Sequence, residues 1–351
     1  MKQLQLRYLF IALAIATSLA SCRKDKKEKT DTFETPDVLV LSQGNIGKNN
    51  SLISSYNFTS KNLVTDAFGA VNGRNIGDTG NDIKQYGSKI YIVVNYSSTV
   101  EVISAKSLKS LKQLPFVDGA TPRQPRSVAF YKNKAYVSSY DNTVAVIDTA
   151  TLTIDKYIAV GRDPEQLAVA NGKLYVANSG GLDYPAVDNT VSVIDLNTGA
   201  VIKTITVGAN PYGVAVDKSG DVYVSAYGVY LESTPTLTII NSADDTVKET
   251  QDFDGSSFTI SGDFAYYLFY DGSVKVYDLN TEAVVKENFI TDGTVITAGY
   301  GLAVKSTGEL FVTDAKDYAS KGELFVFNSA GKKEYSLQTG ITPSAVLFVN
   351  K

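Results

Sequence analysis

Histidine does not occur in the 351 residues of this sequence, and cysteine occurs once, at Cys22. A serine nucleophile that needs an imidazole base is therefore unavailable, and zinc, copper or haem has no imidazole ligand. Carboxylates remain for acid–base or metal chemistry. Asp78, Asp82, Glu165, Asp292 and Asp314 fall in segments that the repeat pattern collects on one rim. They could hold an oxygen-ligated calcium ion or form an acid and base pair. No spaced calcium-loop motif accompanies them, and the Gly-rich stretch 69–80 is not followed by a helical pattern that would make it a phosphate cradle. Against this sparse catalytic set stand 22 tyrosines and 15 phenylalanines. Rigid phenol rings offer wide amphipathic contact at low entropy cost, which suits non-covalent binding.

Such side chains need a scaffold, and the scaffold is legible as an internal repeat. Lys89-Ile-Tyr-Ile-Val, Lys134-Ala-Tyr-Val-Ser, Lys173-Leu-Tyr-Val-Ala, Asp221-Val-Tyr-Val-Ser, Phe264-Ala-Tyr-Tyr-Leu and Glu309-Leu-Phe-Val-Thr share one pattern. Their central aromatics are Tyr91, Tyr136, Tyr175, Tyr223, Tyr266 and Phe311, spaced by 39 to 48 residues. Each is followed by a second alternating segment such as Thr143-Val-Ala-Val-Ile-Asp, and period-two alternation is a strand. A strand before and a strand after complete a unit of four, which is the β-propeller blade. The 315 residues from Asp37 to Lys351 divide into seven such units of about 45.

The expected fold is therefore all-β: a seven-bladed propeller with four antiparallel strands per blade. Residues 37–68 hold only three strands, and Ala345-Val-Leu-Phe-Val is one too many at the carboxy end. Joining them closes the ring, which removes exposed sheet edges. Within a blade running from inner strand A to outer strand D, the A–B and C–D turns are short. The B–C loops and the D–A connections between blades are longer and share the opposite rim. Repeat insertions gathered on one face mark the candidate binding face.

The loop candidates on that face are Asn45, Tyr96, Tyr140, Asn178, Tyr184, Tyr227, Tyr230, Asp314 and Tyr318. Tyr270 lies in the same set of loops. Asp82, Arg126, Glu165, Tyr212, Phe258, Tyr300 and Ser344 open the innermost strands by repeat alignment and would surround the central channel. The charged members could shape a ligand pocket or pair with one another across the channel.

Compartment follows from the amino end. Lys2 and Arg7 precede an apolar run from Tyr8 to Ala20, which at about 13 residues is shorter than the roughly 20 a membrane-spanning helix needs. Residues 1–22 read as a signal peptide, residues 23–36 as a charged tether and residues 37–351 as the propeller. Leu19-Ala-Ser-Cys22 resembles the bacterial lipobox, and that resemblance implies a lipidated Cys22 and an outer-membrane lipoprotein. The charged run behind Cys22 resembles the surface-export signals of Bacteroidetes lipoproteins, which implies exposure at the cell surface. With 33 Lys and Arg against 37 Asp and Glu the chain carries −4, the wrong sign for tracking nucleic-acid phosphates.

Leu174-Tyr-Val-Ala-Asn178 and Asn189-Thr-Val-Ser-Val-Ile-Asp195 resemble the YVTN, or YncE-like, surface-layer propeller repeats over nearly all of residues 77–340. Gln43-Gly-Asn-Ile-Gly, Gly77-Asp-Thr-Gly-Asn-Asp-Ile, Asp163-Pro-Glu, Asn178-Ser-Gly-Gly, Ile290-Thr-Asp-Gly-Thr, Tyr300-Gly-Leu-Ala and Thr313-Asp-Ala-Lys-Asp-Tyr look like the BtuG-type surface lipoproteins of Bacteroides. That resemblance implies a monomeric, non-enzymatic protein that captures a corrinoid, of the vitamin B12 type, for a TonB-dependent outer-membrane transporter, with no cofactor of its own. Two alternatives stay open on the residues themselves. One is a surface scaffold that binds protein or glycan, and the other is a lactonase-like hydrolase with a carboxylate-held metal.

Overall fold

Alternating Val, Ile and Tyr segments pair as the repeat pattern expects. The computed structural model describes residues 34–351; the expected signal peptide, lipidated Cys22 and residues 23–33 of the expected tether lie outside the described residues. Seven four-stranded antiparallel sheets are present. Blade 2 runs from Gly80 to Pro115, blade 3 from Pro125 to Ala159 and blade 4 from Pro164 to Thr206. Blade 5 runs from Pro211 to Asp252, blade 6 from Ser257 to Lys286 and blade 7 from Gly299 to Ile341.

Blade 1 is assembled from both ends of the described chain. Val38–Ser42, Leu52–Tyr56 and Leu63–Val64 supply strands B, C and D, and Pro343–Phe348 supplies the inner strand A. The closing register pairs Val38 with Phe348, Val40 with Val346 and Leu41 with Ala345. This is the closure expected from counting strands.

The apolar face of each sheet packs on its neighbour. Tyr91, Val93, Val100 and Val102 of blade 2 meet Val128, Ala135 and Val137 of blade 3 in one cluster. The repeated aromatics Tyr91, Tyr136, Tyr175, Tyr223, Tyr266 and Phe311 are all buried. The outer strands Ser110–Pro115 and Ala200–Thr206 face solvent along most of their length.

Entry to the inner strands follows one device repeated around the ring. Gln124, Asp163, Asn210 and Thr342 have φ of 52°, 45°, 57° and 51°, and each precedes a proline that starts an inner strand. A residue before proline is normally driven to extended backbone, and positive φ at a non-glycine residue stores strain. The fold holds this geometry because the carbonyls turned outward are used. Gln124, Asp163 and Asn210 accept from the N–H of Tyr140, Ser179 and Tyr227 at 3.2, 3.2 and 3.0 Å. Each B–C loop is thereby fastened to the D–A connection beside it, which builds the upper rim.

The D–A connection into blade 2 contains a short helix, Ala67–Asn72, that the sequence pattern did not suggest. Asp66 caps it by accepting from Gly69 N, and Gly73 ends it at φ 67°. Arg74 beyond it lies over the Phe68 ring and reaches Glu101, a buried carboxylate of blade 2, at 2.8 Å. Ser110 and Gln113 also donate to Glu101. Among the described residues no helix is long and apolar enough to cross a membrane.

Candidate functional site

The residue that follows each inner-strand entry points into the mouth of the central channel. Asn81, Arg126, Glu165, Tyr212, Ser257, Tyr300 and Ser344, one from each blade, line a single cavity of about 190 Å³. Five of these were expected from repeat alignment. In blade 2 the ring position belongs to Asn81 rather than Asp82, and in blade 6 to Ser257 rather than Phe258. Gly80 of blade 2 pairs with the last B-strand residue, Val94, as Pro125 pairs with Ser139 in blade 3. The residue after it therefore faces the channel. Asp82 instead turns to blade 3, accepting from Ser127 Oγ at 2.6 Å and Val128 N at 3.0 Å.

One side of the mouth is charged and internally paired. Arg126 donates from Nε and Nη2 to Glu165 Oε2 at 2.9 and 2.8 Å, and from Nη1 to Asn81 Oδ1 at 2.7 Å. Asn81 Nδ2 donates back to the Arg126 carbonyl at 2.6 Å. The guanidinium lies over the Tyr140 ring, 4.7 Å from its centroid, and the Tyr140 hydroxyl donates to Glu165 Oε1. Burial works against charge on Arg126, but Glu165 outweighs it and lifts the guanidinium above its ordinary value. Burial, then the neighbouring Glu165, pushes the Tyr140 phenol well up.

The other side is aromatic. Tyr212 and Tyr227 stack face to face, and the Tyr212 hydroxyl donates to the Gly255 and Ser256 carbonyls. Tyr300 meets Tyr318 edge to face at 5.8 Å and donates to Gln43 Oε1 at 3.4 Å. Burial raises the phenols of Tyr212, Tyr227 and Tyr300, so all three are neutral hydroxyls at physiological pH. Gln43, Gln166, Ser256 and Tyr270 complete the lining. Gln43, Gln166, Ser256 and Ser257 carry no strong pattern in the sequence.

The remaining candidates divide into rim and interior. Asn45 donates to the Tyr318 carbonyl at 3.2 Å and bridges the loops of blades 1 and 7. The Tyr184 hydroxyl accepts from Tyr230 N at 3.0 Å, which ties the blade 4 loop to the blade 5 loop. Tyr96, Tyr184, Tyr230 and Tyr318 are exposed. Asn178 is not at the surface: it is fully buried and donates to Thr190 and Ser192 of the neighbouring strand. Asp314 is buried as well, accepting from the N–H of Thr297, Ala298 and Lys316. The reason is shared: both end a B strand, where a short polar side chain satisfies backbone or strand-edge donors.

The remaining carboxylates have structural employment, and Asp292, expected on the candidate rim, lies instead beside the C–D turn of blade 7. Asp78 accepts from Asn49 N and Thr79 Oγ1, and Asp292 accepts from Thr294 N and Lys333 N. Among the described residues no cluster of three or more His, Cys, Asp or Glu could hold a metal ion.

Comparison with known proteins supports the architecture. A chain of Kuenenia stuttgartiensis hydrazine synthase is similar at a TM-score of 0.60 and 15% identity, over 74% of this chain and 86% of that one. The computationally designed protein Ika8 is similar at a TM-score of 0.59 and 14% identity, over 91% and 92% of the two chains. At such identities the likeness is one of fold alone. None of the curated proteins matches the sequence. A single family model spans residues 38–348, from the first strand of blade 1 to its last, and on that match the chain belongs to the family described as domain of unknown function DUF5074.

Proposed function

We propose that this propeller is a non-enzymatic binding protein whose ligand engages the channel mouth and the tyrosine-bearing loops around it. The observation that carries the reading is the ring of one side chain per blade around a single cavity, with an aromatic stack on one wall. Hydrolysis is disfavoured by the same geometry, because Asp78, Asp82, Asp292 and Asp314 already accept from backbone or side-chain donors and Glu165 is held by Arg126 and Tyr140.

The ligand we propose is a corrinoid, captured at the cell surface by a protein anchored through Cys22 and passed to a TonB-dependent outer-membrane transporter. Support comes from the resemblance of the segments at 43–47, 77–83, 163–165 and 313–318 to corrinoid-binding surface lipoproteins. Size constrains the pose: pockets that engulf a whole drug-sized ligand run from about 300 Å³ upward, and this mouth has about 190 Å³. A corrin ring would therefore lie across the rim on the faces of exposed tyrosines, with one peripheral group entering the mouth. Calorimetric titration of the full chain with cyanocobalamin is the test; binding at micromolar concentration is expected, and no heat at that concentration rejects the ligand.

A second reading, a scaffold for protein or glycan, is favoured by the exposed Leu182, Tyr184, Tyr230 and Leu231 on two loops joined through Tyr184 and Tyr230, with Tyr230 and Leu231 80% and 89% exposed. Deleting residues 183–187 separates the two. Under the corrinoid reading, cyanocobalamin affinity falls; under the scaffold reading, glycan-array or partner binding is lost instead.

A further inference from the structure

The cavity at the channel mouth contains two charged side chains, Arg126 and Glu165, and they are paired with each other. Both are little exposed, at 19% and 15% of the side chain. All other lining residues are Gln, Asn, Ser and Tyr, so the cavity is neutral overall although it contains an arginine. A guanidinium has five N–H donors. Three are engaged by Glu165 and Asn81, which leaves donors that can serve a ligand but no unbalanced positive charge to draw an anion.

We infer that Glu165 is a specificity-determining residue that makes the channel mouth accept uncharged, hydrogen-bonding groups, such as carboxamides and hydroxyls, and reject carboxylates and phosphates. An entering anion would meet the Glu165 carboxylate on the guanidinium it needs, and like charges brought together in a desolvated site are strongly repelled. A neutral amide or hydroxyl can instead take the spare Arg126 donors, the neutral phenols of Tyr212, Tyr227 and Tyr300, and the Gln166 amide without disturbing the pair. Asn81 grips Arg126 through both its carbonyl and its guanidinium, so the arginine is held in place and cannot swing away to meet an anion elsewhere. This inference rests on the mouth being the binding site proposed above and adds the chemical class that enters it.

The experiment compares the full wild-type chain with Glu165→Gln by isothermal titration against inorganic phosphate. Glutamine keeps the size and one acceptor oxygen for Arg126, with its NH2 left to donate to the Tyr140 oxygen, but leaves the guanidinium charge unbalanced. Wild type is expected to give no saturable heat, and Glu165→Gln to give a saturable phosphate isotherm at least about tenfold tighter than the weakest affinity the wild-type titration would have detected, since charge-assisted bonds to a desolvated arginine are strong. The double variant Arg126→Gln, Glu165→Gln is expected to lose that gain. Equal phosphate binding by wild type and Glu165→Gln overturns the inference, as does a gain that survives in the double variant. If circular dichroism shows that Glu165→Gln does not fold, Arg126→Gln replaces it: a saturable phosphate site in wild type that this change abolishes overturns the inference, and no such site in wild type supports it. The outcome is separable from the corrinoid test, because failure of cyanocobalamin to bind sinks that ligand without altering the response to phosphate.

Discussion

The rings of Tyr212 and Tyr227 lie parallel, with centroids 3.6 Å apart and planes 8° from one another. The first stands on the inner strand of blade 5 and the second at the start of that blade's B–C loop. The stack therefore fixes a mobile class of element, a loop, to a rigid one, and it presents a flat wall to the channel mouth. Rigid aromatic surface lowers the ordering cost of binding.

Removing the upper ring tests that wall. Tyr227→Ala is expected to weaken cyanocobalamin binding by about tenfold while lowering stability by only about 1 kcal/mol, the usual scale of an aromatic pair beyond its area burial. Calorimetric affinity beside a thermal melt separates the two effects. Unchanged affinity would remove the stack from the site.

The Arg74 and Glu101 pair should respond asymmetrically to mutation. Arg74 is partly exposed and Glu101 fully buried. Arg74→Ala strands a buried carboxylate and is expected to cost about 3 kcal/mol. Glu101→Gln leaves an arginine that water can reach and is expected to cost nearer 1 kcal/mol. Urea midpoints for the two variants check the order, and the reverse order would contradict the assigned burial.

Acid titration has a sign that the geometry sets. Backbone and side-chain donors around Asp292, led by Lys333 N, and around Asp317, led by Ser320 N, lower each carboxyl to about 2. A depressed folded-state pKa contributes stability above the unfolded value, here 3.8, and that contribution is lost as pH falls toward 2. Asp292→Asn should therefore melt below wild type at pH 7, and the gap should close by about pH 2. A gap that is constant over this range would mean that the side chain acts through shape, not charge.

Truncation before Pro343 removes the inner strand of blade 1 and leaves the inner edge of Val38–Ser42 unpaired, with only Leu52–Tyr56 beside it. The shortened chain is expected to lose the cooperative melt and to aggregate, because the ring then has an unpaired edge at its most buried radius. Retention of a sharp transition would show that six blades and a partial seventh suffice.

The blade count, the closing strand and the rim that gathers the long loops were legible because the strand period and the repeat period reinforce each other over six recurrences. The helix at Ala67–Asn72 was not: at six residues it has too few turns for a hydrophobic period, although Asp66 and Gly73 are in retrospect its cap and stop. At the site, Arg126, Glu165, Tyr212, Tyr300 and Ser344 were found from their place after an expected strand entry. In blade 2 the repeat alignment falls on Asp82, one residue past Asn81, which follows the Gly80 entry and lines the mouth. Asn178 and Asp314 show the limit of loop-position reasoning, since the last residue of a B strand can turn inward. Gln43 and Gln166 reach the mouth through tertiary geometry that no local pattern announces.

The order in which a polypeptide is made gives the blade 1 closure a temporal meaning. Val38–Ser42 is made well before Pro343–Phe348, so six blades can form while blade 1 waits for its inner strand. Throughout that interval the nascent arc offers backbone donors and acceptors to any neighbouring chain, the condition under which holding chaperones are needed. Maturation of the neutral channel mouth is deferred with it, because Ser344 arrives on the strand that closes blade 1: the binding cavity is assembled only when that strand docks.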